Sequence, residues 1–421
     1  MKYLELKKID KRIASLMGGW LINSLGFGAV VPFMTVYFHS ERGLAMRYIS
    51  LFFLAAAICR TVAQSVGGTL SDYIGRRGLM IWSQFSRSMI FLFAGIAIRM
   101  DLSIWVIAGI LLSQYLLSSF FQPVASAMIA DILPPPDRPK GYALLRMAGN
   151  VGWGLGPAIG GFLFDVSYES LFYFTALMFL ISGIVVIFTV KESAVTLRQN
   201  APEKSGRERQ GFAAMAAAFR QDRRFLFFCV ASLLLFLTWG QFVSTLSVFM
   251  KDFVGLSSTQ IGWIYAFNAS LVIVFQYIVT SRTRKKDHYL LIMIGTLLFT
   301  LSYAVMGWMS SFGMMLVIMV FITFGEMFAG PSGNTLASNM ARNQQYGRYQ
   351  GAYSAVSTLG WSLGPAIGAM FMEWIPDIRY FWLTMASFGF VAFFGFLMLF
   401  YRTNKRTRNE NLEKQPESPQ L

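Results

Sequence analysis

Charge is scarce in this chain. Asp, Glu, Lys and Arg make up 14% of its 421 residues, against about a quarter in an ordinary soluble domain, so it cannot clothe a water-facing surface of normal size. Cysteine and histidine are scarcer, two of each. Cys59 and Cys229 both fall inside apolar runs, which excludes a disulfide framework and leaves each thiol as a packing group. His39 and His288 fall at the ends of such runs. The sequence holds no phosphate-cradling glycine loop, no His/Cys/Asp/Glu cluster at metal-ligand spacing and no nucleophile–base pair. No metal, no cofactor and no enzyme chemistry are expected. Polar runs are too sparse for a channel filter. The first apolar run is of spanning length and lacks a small-residue cleavage site, so it does not read as a removable signal peptide.

Apolar residues are abundant: 55% of the chain, with a mean hydropathy of +0.51. Runs near 20 residues long can cross a hydrocarbon core about 30 Å thick. Twelve are legible, at about 13–38, 48–70, 79–98, 103–131, 141–164, 170–190, 225–250, 260–280, 289–309, 313–339, 349–372 and 380–401. The net charge of +15 could suggest nucleic acid, but its distribution speaks for a membrane. With the N-terminus inside and the helices alternating, inner segments hold 28 of the 36 Lys and Arg and outer loops five. That asymmetry is the positive-inside rule. It predicts a multi-pass protein of the cytoplasmic (inner) membrane with both termini in the cytoplasm and lipid, not nucleic acid, around it.

One phrase is written twice. Trp153-Gly-Leu-Gly156-Pro157-Ala-Ile-Gly160 returns 208 residues later as Trp361-Ser-Leu-Gly364-Pro365-Ala-Ile-Gly368, with seven of eight letters kept. The same offset carries Pro123 to Pro331 and Arg76-Arg77 to Arg284-Lys285. The unit duplicated is therefore six helices. The expected architecture is all-α: six-helix bundles at 1–190 and 225–402, a cytoplasmic linker at 191–224 and a disordered tail at 403–421. The stretch from Phe212 to Arg224 is basic and amphipathic and would lie on the inner leaflet. Gly152, Gly156, Gly160, Gly364 and Gly368 let helices approach closely in lipid, while Pro157 and Pro365 each remove a backbone hydrogen bond and bend their helix. Related halves about an axis along the membrane normal, with a site between them, describe one large transporter class.

Three motifs then carry a resemblance. Gly68-Thr-Leu-Ser-Asp72-Tyr-Ile-Gly75-Arg76-Arg77 resembles the major facilitator superfamily signature between helices 2 and 3. Gly152-Trp-Gly-Leu-Gly156-Pro157-Ala-Ile-Gly160-Gly161 resembles the fifth-helix motif of that superfamily's antiporters. Gly325-Glu326-Met-Phe-Ala-Gly-Pro331 is similar to a pattern of the drug:proton antiporter branch, with its twelve-helix multidrug efflux members. The resemblance spans about residues 10–402 and implies alternating access driven by a proton gradient. The residues of the first motif support it on chemical grounds. Gly68 and Gly75 permit tight packing and a sharp turn, Asp72 can face a helix N-terminus, and Arg76 can pair with Asp131, with Arg138 completing a small network. The resemblance implies that this network latches the cytoplasmic side. One departure stands out: the stretch Leu111-Leu-Ser-Gln-Tyr-Leu lacks the arginine that members of the branch often carry in helix 4.

Scaffold demands should be shared between halves, so unshared intramembrane charges point to function. By the 208 offset Arg60 maps to Asn268, Arg87 to Gly295, Arg146 to Ser354, and Glu326 back to Ser118. Arg60 and Arg87 lie roughly 16–18 Å of helical rise from the second loop, near mid-depth. Arg146, Asn150 and Trp153 share a face of the fifth span. Burial favours a carboxyl's neutral form, so Glu326 could carry a proton, form a fixed pair with an arginine, or bind a cationic substrate. Three arginines against one acid favour anions or zwitterions. The 24 Met and 40 Phe read as an adaptable pocket or, more simply, as packing. The expected activity is proton-coupled efflux of small amphiphilic compounds by a monomer, with Glu326 as the proton site and Arg60, Arg87, Arg146, Asn150 and Asn268 around the substrate. The alternatives are a carrier of an anionic metabolite or lipid-like amphiphile held by those arginines, and a non-transporting sensor or scaffold.

Overall fold

In lipid every backbone N–H and C=O must be satisfied within the protein, which leaves an apolar chain of this kind the helix as its spanning element. The computed structural model describes residues 11–118, 121–134, 137–190, 219–341 and 345–413, with some side chains, those of 64–74 among them, outside that description. It contains α1 (Lys11–Val36), α2 (Met46–Ile74), α3 (Arg76–Arg99), α4 (Ile104–Ser118), α5 (Phe121–Ile132), α6 (Arg138–Val166) and α7 (Tyr168–Thr189) in the first half. The second half contains α8 (Arg223–Trp239), α9 (Ser258–Thr283), α10 (His288–Met306), α11 (Phe312–Asn339), α12 (Tyr346–Trp374) and α13 (Ile378–Glu413). No strand occurs among the described residues.

Among the described residues nine helices are long and apolar enough to cross a membrane: α1, α3, α7 and all six of the second half. The expected second and fifth spans are the 29-residue helices α2 and α6, made more polar by Arg47, Arg60 and Asp72 in one and Arg138, Lys140 and Arg146 in the other. The fourth is α4 followed by α5. Local chemistry sets the helix ends. Asp222, Asp287 and Ser311 accept from the first N–H groups of α8, α10 and α11, and Ser257 with Gln260 forms a full capping box at α9. Gly75, at φ 90°, makes the α2–α3 turn in a region that side chains disfavour. Serine and threonine inside the spans return their hydroxyls to carbonyls one turn back, as Thr296 and Thr300 do at 2.7 Å.

Two expectations about boundaries change. The last helix continues through Glu413, so 403–413 is helix where a disordered tail was expected; Thr403 bonds back to the Leu399 carbonyl and accepts from Arg224, which ties the extension to α8. Linker residues 191–218, with most of the amphipathic stretch, and the tail beyond 413 lie outside the described residues. The seventh span is broken: α8 stops at Trp239 and gives way to a 3-10 turn, Gly240–Val243, and short helical turns through Phe253.

The halves are built alike. α1 packs on α6 and α3 on α7; correspondingly α8 packs on α12 and α10 on α13. The repeated phrase makes the first kind of contact in both. A methyl group added to Gly152 would stand 2.5 Å from the Leu21 carbonyl oxygen of α1, and one on Gly156 2.7 Å from the Ala29 nitrogen. In the second half one on Gly364 would stand 2.7 Å from the Cα of Gly240, and Gly368 faces the Gln241 side chain. Between the halves α6 lies along α9, and α12 along α2. These crossings seal the end of the molecule that carries the Gly43 and Gly255 loops; the Gly75 loop is at the other end.

Candidate substrate cavity and the charges around it

Where the halves part, a cavity of about 410 Å³ lies between them. Its walls come from α1, α2, α3, α4 and α6 on one side and from the α8 region, α9, α11 and α12 on the other. Two aromatic pairs face each other across it. Phe27 meets Trp153 edge to face at 5.8 Å, and Trp239 meets Trp361 edge to face at 5.7 Å. Trp153 and Trp361 are the first letters of the two repeated phrases, so the glycines that bring α6 onto α1 and α12 onto α8 also aim a tryptophan inward.

Polar groups interrupt this apolar wall. Arg60 and Arg87 line the cavity from the first half, and Asn268 and Glu326 from the second, with Asn150 exposed beside them. Arg60 and Arg87 are near enough for their charges to be felt mutually, and the buried Tyr115 phenol senses both. Arg87 is 2% exposed. Its guanidinium lies 3.9 Å from the centre of the Phe179 ring and 5.4 Å from that of Phe27, and it donates to Asn23 Oδ1 at 3.4 Å. Among the described residues no carboxylate pairs with it. Among the described cavity-lining residues Glu326 is the one carboxyl. Asn268, which lines the cavity with it, donates to Thr323 Oγ1 at 2.8 Å. Arg146 does not line the cavity. It is exposed one turn before Asn150 on α6, toward the Gly75 end, and its charge still reaches Glu326.

The residues expected at the gate divide. Arg76 donates to Asp131, the predicted ion pair. Arg77 donates to the Ile187 carbonyl at 2.7 Å and so pins the start of α3 to the end of α7. Arg138 corrects the expectation: its Nε donates to the Leu133 carbonyl at 3.1 Å, which fastens the α5–α6 connection instead of the Arg76–Asp131 pair. Gly68 and Asp72 lie on α2, but their side-chain surroundings fall outside what is described.

Sequence reasoning missed three features. Phe27 and Trp239 lie 212 residues apart, as do the left-handed glycines Gly43 and Gly255 (φ 66° and 75°), so the constant 208 offset does not hold over the first hairpin. The counterpart of Arg60 therefore falls between Asn268 and Val272, both of which line the cavity. Gln241, at the break after α8, donates to the carbonyls of Leu237 and Gly364 at 2.9 Å each; only its place opposite Ala29 by the 212 offset could have singled it out. Asp165 and Glu373, one copy of a carboxylate at the end of each phrase-bearing helix, were passed over because neither lies at mid-membrane.

The family model for the Major Facilitator Superfamily matches residues 16–365 and 291–420. The chain belongs to the major facilitator superfamily. Over 421 aligned residues it is 24% identical to a protein of Planococcus maritimus named Na(+), Li(+), K(+)/H(+) antiporter, covering 93% of this chain and 96% of that one. Multidrug resistance protein MdtH of Salmonella typhimurium is 22% identical over 402 residues, 92% and 94% of the two chains. The crystal structure of nucleoside transporter NupG superposes with a TM-score of 0.75 at 15% identity, over 92% of this chain and 98% of that one. The superfamily fold is the all-α, two-bundle membrane architecture described above, and its members are transporters that work by alternating access. The chain is accordingly an integral, multi-pass membrane protein whose relatives carry small molecules or ions.

Proposed function

We propose that this protein is a proton-coupled antiporter that exports small amphiphilic compounds, with Glu326 as its proton site. The observation that carries the reading is the placement of Glu326: among the described residues the one carboxyl lining a cavity between the halves, together with Asn268 and two aromatic pairs. A carboxyl there can exchange its proton with whichever side the cavity faces, and the aromatic walls suit flat apolar groups without demanding one shape. The positive-inside pattern sets the Gly75 end and both termini in the cytoplasm, so the cavity drawn here, sealed at the Gly43 end, faces inward in the cytoplasmic membrane. The protein works as a monomer, each chain enclosing its own cavity, and needs no cofactor beyond the proton gradient.

A second reading has its own observation. Arg60 and Arg87 line the cavity, and among the described residues no carboxylate neutralises Arg87. An anionic metabolite or lipid-like amphiphile could place its charge there and its apolar part against the tryptophans. Exchange of alkali cations, suggested by the name of the Planococcus relative, fits less well: the described lining residues, with one carboxyl and two guanidiniums, make a cavity that repels small cations. Binding of anionic, zwitterionic and cationic amphiphiles of one ring system, measured side by side on the purified protein, tests the choice. Preference for the cation or zwitterion with a bound proton released supports the antiporter; preference for the anion, lost in Arg60→Gln, supports the carrier.

A further inference from the structure

Helix N-termini leave backbone N–H groups without partners and carry partial positive charge. At the Gly43 end two such termini are completed by the opposite half. Asp165, at the end of α6, accepts from Ser258 N at 3.1 Å and Thr259 N at 2.7 Å, the first two residues of α9. Glu373, at the end of α12, accepts from Arg47 N at 3.3 Å, the second residue of α2. Asp165 and Glu373 are 208 residues apart, and Arg47 and Thr259 are 212 apart, the two offsets that relate those parts of the halves. The contacts are thus one arrangement made twice, each time by a carboxylate of one half on a helix of the other. The caps within each helix leave room for it. Ala45 before α2 has no side chain that can cap, and Ser257 before α9 is committed to Gln260.

We propose that Asp165 and Glu373 are the paired clasps that hold the Gly43 end shut, and that releasing both is the step by which the cavity turns to that side. Moving the halves apart at this end must separate each carboxylate from its helix, since donor and acceptor belong to different halves. Ser40 donating to Asp252 at 2.8 Å and Lys251 near Glu41 at 3.8 Å lie on the same seam; they join the short helical turns Tyr37–Glu41 and Phe249–Phe253 side chain to side chain, each made once, Ser40 and Asp252 being counterparts 212 apart that meet each other. The inference needs only alternating access and is independent of Glu326 as the proton site.

Electron–electron distance measurements test it. Spin labels at Leu102 and Trp308, exposed loop positions of the two halves at this end, are placed in a protein carrying Cys59→Ser and Cys229→Ser. A carboxylate on a helix N-terminus shifts an equilibrium a few-fold, so Asp165→Asn with Glu373→Gln together should raise the population of the longer distance roughly ten-fold. Each single variant should give a smaller rise, and Asp165→Glu should restore the parent distribution. Asp377→Asn is the control, because Asp377 pairs with Arg379 within its own half, and it should change nothing. An unchanged distribution in both single variants, or an equal shift in Asp377→Asn, overturns the proposal. Because the readout is a distance and not flux, it stands or falls apart from the fate of proton coupling.

Discussion

The guanidinium of Arg87 stacks on the ring of Phe179 at 3.9 Å while its other neighbours, Phe27 and Asn23, belong to α1. Among the described residues no acid neutralises a cation held in this way, so it keeps a field directed at the cavity. Cation–π contacts of this kind stabilise by about 0.5–2 kcal/mol. Arg87→Lys, which keeps the charge but loses the flat stacking face, should lower the thermal midpoint slightly and leave charge selectivity in place. Arg87→Gln should weaken binding of anionic amphiphiles roughly ten-fold and strengthen that of cationic ones. Calorimetric titration with both ligand types reads the difference, and equal losses for both would make Arg87 structural only.

The aromatic pairs give a second expectation. Removing Trp361 leaves Trp239 without its edge-to-face partner and opens the wall of the second half. Such pairs contribute about 0.5–1.5 kcal/mol beyond their area. Trp361→Ala should therefore weaken binding of an aromatic amphiphile about ten-fold, and Trp153→Ala should do the same from the other side. Tryptophan fluorescence quenching on ligand addition measures both, since Trp20, Trp153, Trp239 and Trp361 all line the cavity.

Small residues in the repeated phrase make a third. A side chain at Gly156 meets the backbone of α1, and one at Gly364 meets the backbone of the α8 break; backbone cannot yield as a flexible side chain would. Overpacking costs about 1–3 kcal/mol and more where nothing can move. Gly156→Val and Gly364→Val should each lower the thermal midpoint in detergent by several degrees. Gly313→Ala, where an added methyl meets nothing within 4 Å, should not.

The Arg76–Asp131 pair supplies a fourth. Both side chains are mostly covered, at 13% and 17% exposure, so breaking the pair is costly. Asp131→Asn should destabilise the protein and reduce transport, and the exchanged pair Arg76→Asp with Asp131→Arg should recover part of both. A swap no better than the single change would remove the pair from the account of this gate.

Much of this architecture was legible because lipid restricts the chain to helices and duplication writes them twice. The repeated phrase placed α6 and α12, and the positions of Arg60, Arg87 and Glu326 deep within their spans brought all three to one cavity. Arg146 lies a turn beyond the residues that line the cavity, since a helical face says nothing of how far along it the cavity reaches. Arg138 was misjudged because a nearby carbonyl competes with a nearby acid, and only geometry decides between them. The paired carboxylates Asp165 and Glu373 were hidden by their place at helix ends: each matters through backbone N–H groups, which no sequence pattern displays. The broken seventh span was hidden as well, since its residues are as apolar as those of an unbroken helix.

The most direct test of the central claim is pH-driven transport in proteoliposomes with and without the Glu326 carboxyl. Purified protein is reconstituted with a cavity-binding amphiphile outside and an imposed proton gradient, and the protein carrying Glu326→Gln is compared with the unaltered chain. In the unaltered protein the gradient should drive accumulation and proton counterflow. Glu326→Gln should abolish both while still binding the compound and still exchanging it between equal pools. Undiminished gradient-driven accumulation in Glu326→Gln would contradict the assignment.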